Sequence, residues 1–282
     1  MSKHIPQVSI GMPVYNGEKF IREALDSLLA QTFTDFELII SDNASIDGTE
    51  AICREYAVRD ARIRYERQAS NLGATANFKF VLDEAIGTYF MWAANDDIWS
   101  KEWLEAMCRN IKKNDAGIYG YARFIKDNKE IRVCHPKFFK KGKYAKFFLS
   151  FNNKALFIYG VFKTDLLREG TKKMLGQNCL GFDHALLLGM LKYGDLSVVG
   201  GAFHSYRLHE AQISHVQAGF FEKFRNGIGL HLASEYRYSL LVTPGAHKLI
   251  IFCCIPIHYG LRAFRLAILA PLLRAVKSRW PK

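Results

Sequence analysis

The chain is poor in the short signatures that fix a function at sight. No G-x-G-x-x-G follows the first apolar run, so a dinucleotide-binding fold has no phosphate fingerprint here. No G-x-x-x-x-G-K-[ST] occurs, which excludes a P-loop NTPase. A G-x-S-x-G elbow is absent, and His209-Glu210 does not continue into H-E-x-x-H. None of the 6 cysteines forms a C-x-x-C pair, which leaves a zinc knuckle or a thioredoxin-like site without support. With 7 Pro and 21 Gly in 282 residues, collagen and Pro-rich linker proteins are excluded too. No internal repeat is visible.

Met1–Gln7 is polar, and no signal peptide is expected. Cysteine usage points inside the cell, and a disulfide framework is not expected in a chain this long. Core-forming material is plentiful. Hydrophobic residues make up 49% and charged residues 23%, which excludes intrinsic disorder. The length suits one large domain with an appendage, or two small ones. The formal charge of +12 makes nucleic acid, anionic lipid or phosphorylated substrates plausible partners, without choosing among them.

The first hundred residues alternate between two periods. Val8–Val14 reads as a strand broken by Pro13, and Glu18–Gln31 as a helix with Phe20, Ile21, Ala24, Leu25, Leu28 and Leu29 at helical spacing. Phe36–Ser41 is a continuous apolar run, as in a strand buried on both faces. Asp47 then looks like an N-cap, with Glu50 in capping-box position and a helix running through Tyr56. Arg62–Glu66 and Thr88–Ala93 read as strands, and Thr75–Ile86 and Lys101–Lys112 as helices. This alternation predicts an α/β fold with a largely parallel sheet and right-handed crossovers. Further on, Ile118–Ile125 reads as a strand and the basic Pro136–Lys146 stretch as a loop. Phe182–Tyr193 reads as a helix, and Leu196–Leu208 as a strand or hairpin.

The character changes after about Ser214. Phe220–Leu241 looks helical, and Leu249–Leu261 and Leu266–Leu273 are apolar. The last two are shorter than the ~20 residues a spanning helix needs. Arg262, Arg265, Arg274, Lys277, Arg279 and Lys282 interrupt or follow them. Such a segment suits the interface of an anionic leaflet; a helical pair packed on the core or on a second subunit is the alternative. The expected division is a domain over 1–218 and a helical, basic, membrane-associated segment over 219–282.

Polar residues gather at the carboxyl ends of the expected strands, where open α/β sheets bind ligands. Pro13, Tyr15, Asn16 and Glu18 follow the first strand, and Asp42 and Asn43 the second. Asn71 and Gly73 follow the third, with Asn77 one turn later, and Asn95, Asp96 and Asp97 follow the fourth. One polar group at one strand end is usually a helix cap; four successive ends suggest a shared site. Adjacent Asp96 and Asp97 repel each other, and a divalent cation relieves that repulsion. Asp97 alone could instead cap the following helix.

Here the sequence resembles a family. VSIGMPVYNGEKFIREALDSLLAQTF, FELIISDNASIDGTEAI, RQASNLGATANF and GTYFMWAANDDIW look like a family 2 glycosyltransferase of the GT-A fold, and the likeness resumes at Gly181–Leu191 and Tyr206–Ser214. The resemblance implies an inverting enzyme that binds a nucleoside diphosphate sugar, a UDP-sugar by default, across the first two strand ends. Pro13, Asn16 and Glu18 fall in the donor-binding turn. Tyr15 falls where the family packs base or ribose, and Asp42 where a carboxylate accepts from the base. Asn71, Gly73 and Asn77 fall on the nucleotide-facing wall. Asp96 matches the metal-binding carboxylate of the D-x-D motif, with Asp97 beside it, and Mn²⁺ or Mg²⁺ is the implied cofactor. The first Asp of that motif is replaced by Ala94, so Asn95 is the candidate for its ribose contact. His209 falls where a further metal ligand is often found, and Arg207 within reach of the diphosphate.

Asp183 is the implied base that deprotonates the acceptor hydroxyl; charge alone would make it an N-cap. The implied partners are the donor, a glycan or lipid-linked oligosaccharide acceptor of a surface polysaccharide, and an anionic membrane surface, with no nucleic acid. The implied location is the inner face of the cytoplasmic membrane. A nucleotidyltransferase and a degenerate GT-A binding subunit are the alternatives. The first normally has a Gly-rich, basic loop after strand one, where this chain has MPVYNGEKF.

Overall fold

Seven-residue apolar runs at Val8–Val14 (β1) and Phe36–Asp42 (β2) pair in parallel as the buried centre of one sheet. The computed structural model describes residues 4–143, 154–172 and 182–209. Between the two strands runs α1 (Ile21–Leu29), which turns Ile21, Ala24, Leu25 and Leu28 onto the core. It begins later than the expected Glu18, because Gly17 C=O first accepts both the Phe20 and Ile21 N–H groups in a turn. After α2 (Thr49–Arg59), β3 (Ile63–Arg67), α3 (Ala74–Asp83) and β4 (Tyr89–Trp92), the parallel part reads β3-β2-β1-β4. Strand order therefore reverses at β1. Right-handed crossovers put α3 on the face opposite α1 and α2.

The reversal opens a crevice, and Pro13 is suited to it. Along β1, Gly11 C=O accepts from Ala93 N–H on the β4 side, and Val14 C=O from Asn43 N–H on the β2 side, both at 2.9 Å. Pro13 shares the side of Gly11 but lies beyond the last rung to β4, so its missing N–H leaves no donor unpaired as the strands part.

Beyond β4 the sheet is mixed. β5 (Ile98–Trp99) and α4 (Trp103–Asn110) lead to β6 (Asp115–Lys126), β7 (Lys129–Cys134), a 3-10 turn (Lys154–Tyr159), β8 (Val161–Lys163), α5 (Thr164–Thr171), α6 (Phe182–Met190) and β9 (Asp195–Arg207). The full order is β3-β2-β1-β4-β8-β6-β9-β5, with β7 on β6. β6 and β9 are parallel, while β4–β8, β8–β6, β6–β7 and β5–β9 are antiparallel. The Leu196–Leu208 region is one strand rather than a hairpin. It absorbs its extra residues in an irregularity opposite Tyr119–Tyr121, where Gly201 takes a φ of 83°.

Two local expectations are corrected. Glu50 does not close a capping box on α2. It pairs with Arg54 and Arg67, while the Gly48 N–H is taken by Glu18 from the neighbouring loop at 2.8 Å. α3 stops at Asp83, short of Ile86, and Arg168 of α5 binds the carbonyls of Leu82, Asp83 and Ala85 at its end. Among the described residues no helix is long and apolar enough to cross a membrane. The apolar and cationic segments of 219–282 lie outside the described residues.

Candidate active site

The carboxyl edge is built first by two loops that hold each other. Asn16 takes a left-handed φ of 51°, and its side-chain oxygen accepts from Ile46 N–H at 3.0 Å. Its own N–H donates to Ser45 Oγ at 2.9 Å, and Gly17 N–H to Thr49 Oγ1 at 2.8 Å. Glu18 N–H donates to Asp47 at 3.1 Å, and Asp47 also accepts from Thr49 N–H at 3.0 Å. Gly17 has no room for a side chain: a Cβ would sit 2.5 Å from Asn95 Nδ2, so this loop packs directly on the β4–β5 loop. Asn16 and Glu18 are thus braces of the loop. Tyr15, 46% exposed, projects from it.

Asp42 is wholly buried at the end of β2. Its oxygens accept from Ser45 N–H and Tyr65 Oη–H, each at 2.8 Å, and Arg67 lies 3.4 Å away. Burial, reinforced by the Asp42 carboxylate, raises the Tyr65 hydroxyl far above the ordinary tyrosine range. Asn43 reaches across to the next loop: its amide donates to Asn71 Oδ1 at 2.9 Å and accepts from Leu72 N–H at 2.7 Å. Gly73, at φ 83°, donates its N–H to the same Asn71 oxygen. Asn77 departs from expectation. It is 2% exposed, and its amide is engaged by Ser41, through Oγ at 2.5 Å and the main-chain carbonyl at 2.9 Å. It braces β2 from beneath and does not face the cleft.

The adjacent carboxylates divide. Asp97 is fully buried. It accepts from His204 Nε2 at 2.7 Å and from Arg207 N–H at 2.9 Å, so it neither caps α4 nor joins a ligand set at the surface. His204, also fully buried, meets the Tyr119 hydroxyl through Nδ1 at 2.9 Å. Asp96 remains partly exposed, with His209 Nε2 at 3.0 Å. Burial, and after it the Asp97 charge, pushes the Asp96 carboxyl above the ordinary range, and His209 opposes them.

Arg207 is placed differently from expectation. Its buried guanidinium donates to the Asp96 carbonyl at 2.9 Å, Asn128 at 3.1 Å and Glu23 at 2.6 Å, and lies over the Phe20 ring, which is 5.1 Å from His209. It clamps the loop and is not presented to a diphosphate. Asp183 is the second residue of α6, and its side chain lies outside the described residues.

A resident divalent cation fits these donors. Among the described residues no three His, Cys, Asp or Glu side chains gather to hold a metal alone. Asp96 and His209 meet at one partly exposed point and would offer two ligands, with substrate phosphates and water completing the shell, as Mg²⁺ prefers. The class so defined is an α/β sheet protein whose acidic edge, at a strand-order reversal, suits a cation and the phosphates it carries.

The chain belongs to glycosyl transferase family 2, whose model matches residues 9–168. It is 37% identical over 132 residues to EpsJ, an uncharacterized glycosyltransferase of Bacillus subtilis, covering 47% of this chain and 38% of that protein. It is 30% identical over 112 residues to the glycosyltransferase GlyA of Streptococcus pneumoniae, covering 40% of this chain and 16% of that protein. The matched part is therefore well under two thirds of either relative. Among solved structures, S. aureus TarS 1–349 in complex with UDP-GlcNAc superposes with a TM-score of 0.64 at 18% identity, covering 93% of this chain and 76% of that one. The mannosyltransferase PcManGT of Pyrobaculum calidifontis, in complex with GDP-Man and Mn²⁺, gives 0.57 at 16%, covering 98% and 80%. At such identities the likeness speaks for the fold, and GT-A is the fold observed.

Proposed function

We propose that the chain transfers one sugar, with inversion, from a nucleoside diphosphate donor to a hydroxyl of a glycan or lipid-linked acceptor in surface polysaccharide synthesis. A UDP-sugar is the preferred donor. The observation that carries the reading is the meeting of Asp96 and His209 at 3.0 Å on the sheet edge that also ends in Asp42. Tyr15 offers an exposed ring for the base, and the Asn71–Gly73 loop walls the same side. Asp96 and His209 would hold a divalent cation, which would supply neutralisation of the departing diphosphate. Asp183 takes the proton of the acceptor hydroxyl from the face opposite the leaving group. TarS with UDP-GlcNAc supports the donor class, and PcManGT with Mn²⁺ the cation. The cationic, apolar 219–282 segment is proposed to hold the enzyme on the inner face of the cytoplasmic membrane.

A panel of nucleotide sugars, titrated calorimetrically with and without Mn²⁺, tests this. Mn²⁺-dependent binding of one UDP-sugar is expected, and binding of none would leave a degenerate GT-A subunit. Asp183→Asn should abolish transfer while donor affinity stays within a few fold; wild-type turnover would remove Asp183 as base.

A further inference from the structure

We infer that Asp97 serves the cation site without touching the cation, as a buried positioning carboxylate held by His204 and Tyr119. The inference rests on the proposed cation reading of Asp96 and His209. Asp97 Oδ2 lies 2.7 Å from His204 Nε2, and its other oxygen accepts from Arg207 N–H at 2.9 Å. His204 Nδ1 meets the Tyr119 hydroxyl at 2.9 Å. Trp99 stacks on the imidazole at 5.2 Å and 16°, which fixes the ring plane. Each polar side-chain atom of Asp97, His204 and Tyr119 has a partner, and none of the three side chains exceeds 1% exposure.

The consequence for Asp96 runs through Arg207. Its N–H donates to Asp97 Oδ1 and its Nε to the Asp96 carbonyl, each at 2.9 Å, so the buried Asp97 anchors the turn that presents Asp96. Asp97→Asn keeps the shape but replaces one acceptor oxygen by an N–H₂ donor, so one of the two contacts, to His204 Nε2 or to Arg207 N–H, is lost.

The test is calorimetry of UDP on the full chain, with and without Mn²⁺. Asp97→Asn is expected to weaken Mn²⁺-dependent binding by roughly 10–100-fold, the scale of losing an outer-shell partner. Its metal-free UDP affinity should match wild type. Tyr119→Phe, which removes only the distal hydroxyl, should shift the same quantity in the same direction by less. Equal losses with and without Mn²⁺ would show a merely structural role and overturn the inference, as would unchanged Mn²⁺ dependence. If Asp97→Asn does not fold, Tyr119→Phe decides by the same criteria. A wild-type chain indifferent to Mn²⁺ would bring down the Asp96–His209 reading itself, a different failure from an Mn²⁺-dependent wild type with an unaffected variant.

Discussion

The parallel and mixed parts of the sheet build the cleft in different ways. In the parallel part, consecutive strand-end loops hold one another through backbone N–H groups and short side chains: Asn16 with Ser45 and Ile46, Gly17 with Thr49, Asn43 with Leu72. In the mixed part, one strand carries the charge. His204, Arg207 and His209 return to Asp96 and Asp97 from 107 to 113 positions further along the chain. The first arrangement shapes a wall from the loops of consecutive strands, about 30 positions apart. The second sets the field in which a cation and phosphates would sit, and depends on β9 docking correctly.

Asp96→Ala strikes the second arrangement hardest. Mn²⁺-dependent UDP binding should vanish and transfer fall by roughly 10²–10³-fold, the scale of losing one charge-stabilising group. The melting temperature should hold, because a partly exposed side chain is removed. Unchanged calorimetric affinity would mean that the charge of the mixed part is not what binds the donor. Arg207→Met comes next and acts on stability first. Losing three donors to Asp96, Asn128 and Glu23 should cost about 1–3 kcal/mol in denaturant unfolding. Lysine should not restore it, since one ammonium cannot fork to three partners. A variant of native stability with weakened UDP binding would return Arg207 to the diphosphate.

The parallel part is sharpened by Asn77→Ala. The Ser41 groups left behind are buried, so about 1–3 kcal/mol should be lost while UDP affinity stays within twofold. The reverse pattern would put Asn77 back on the cleft wall.

The same contrast decides what could be read from sequence. β1 to β4 alternate with helices at short spacing, and their polar ends could be counted. β8 is three residues and β5 two, too short to show any period. The β6–β7 hairpin does carry a local signal: Asp127-Asn128, both at positive φ (50° and 58°), form the two-residue turn such pairs favour. Asp96 could be separated from its neighbours by motif, but the fate of Asp97 could not. A carboxylate that accepts from a histidine 107 positions away leaves no local trace. Arg207 looked like a phosphate ligand because cations near strand ends often are. Its burial against Glu23 and Phe20 is a tertiary fact.

The smallest expected effect lies on the parallel part but away from the cleft, and so serves as its control. Asp60, at the end of α2, accepts from Arg62 Nε at 3.0 Å and Nη2 at 2.7 Å, while that guanidinium lies 4.4 Å from the Phe36 ring centroid. Hydrogen bonding to Arg62 holds the Asp60 carboxyl below its ordinary range. A folded-state value lower than the unfolded one contributes stability above the unfolded value, near 3.9, and loses it as pH falls through the folded value. Asp60→Asn should therefore cost a few tenths to about 1 kcal/mol at pH 7, as half-buried surface pairs do. The gap from wild type should narrow below about pH 4, with UDP binding untouched throughout. A gap that stays constant down to pH 3 would assign the loss to packing on Phe36 instead of charge. A change in UDP binding would show that strain at the outer strand reaches the cleft, and that the two parts of the sheet are less separate than their contacts make them.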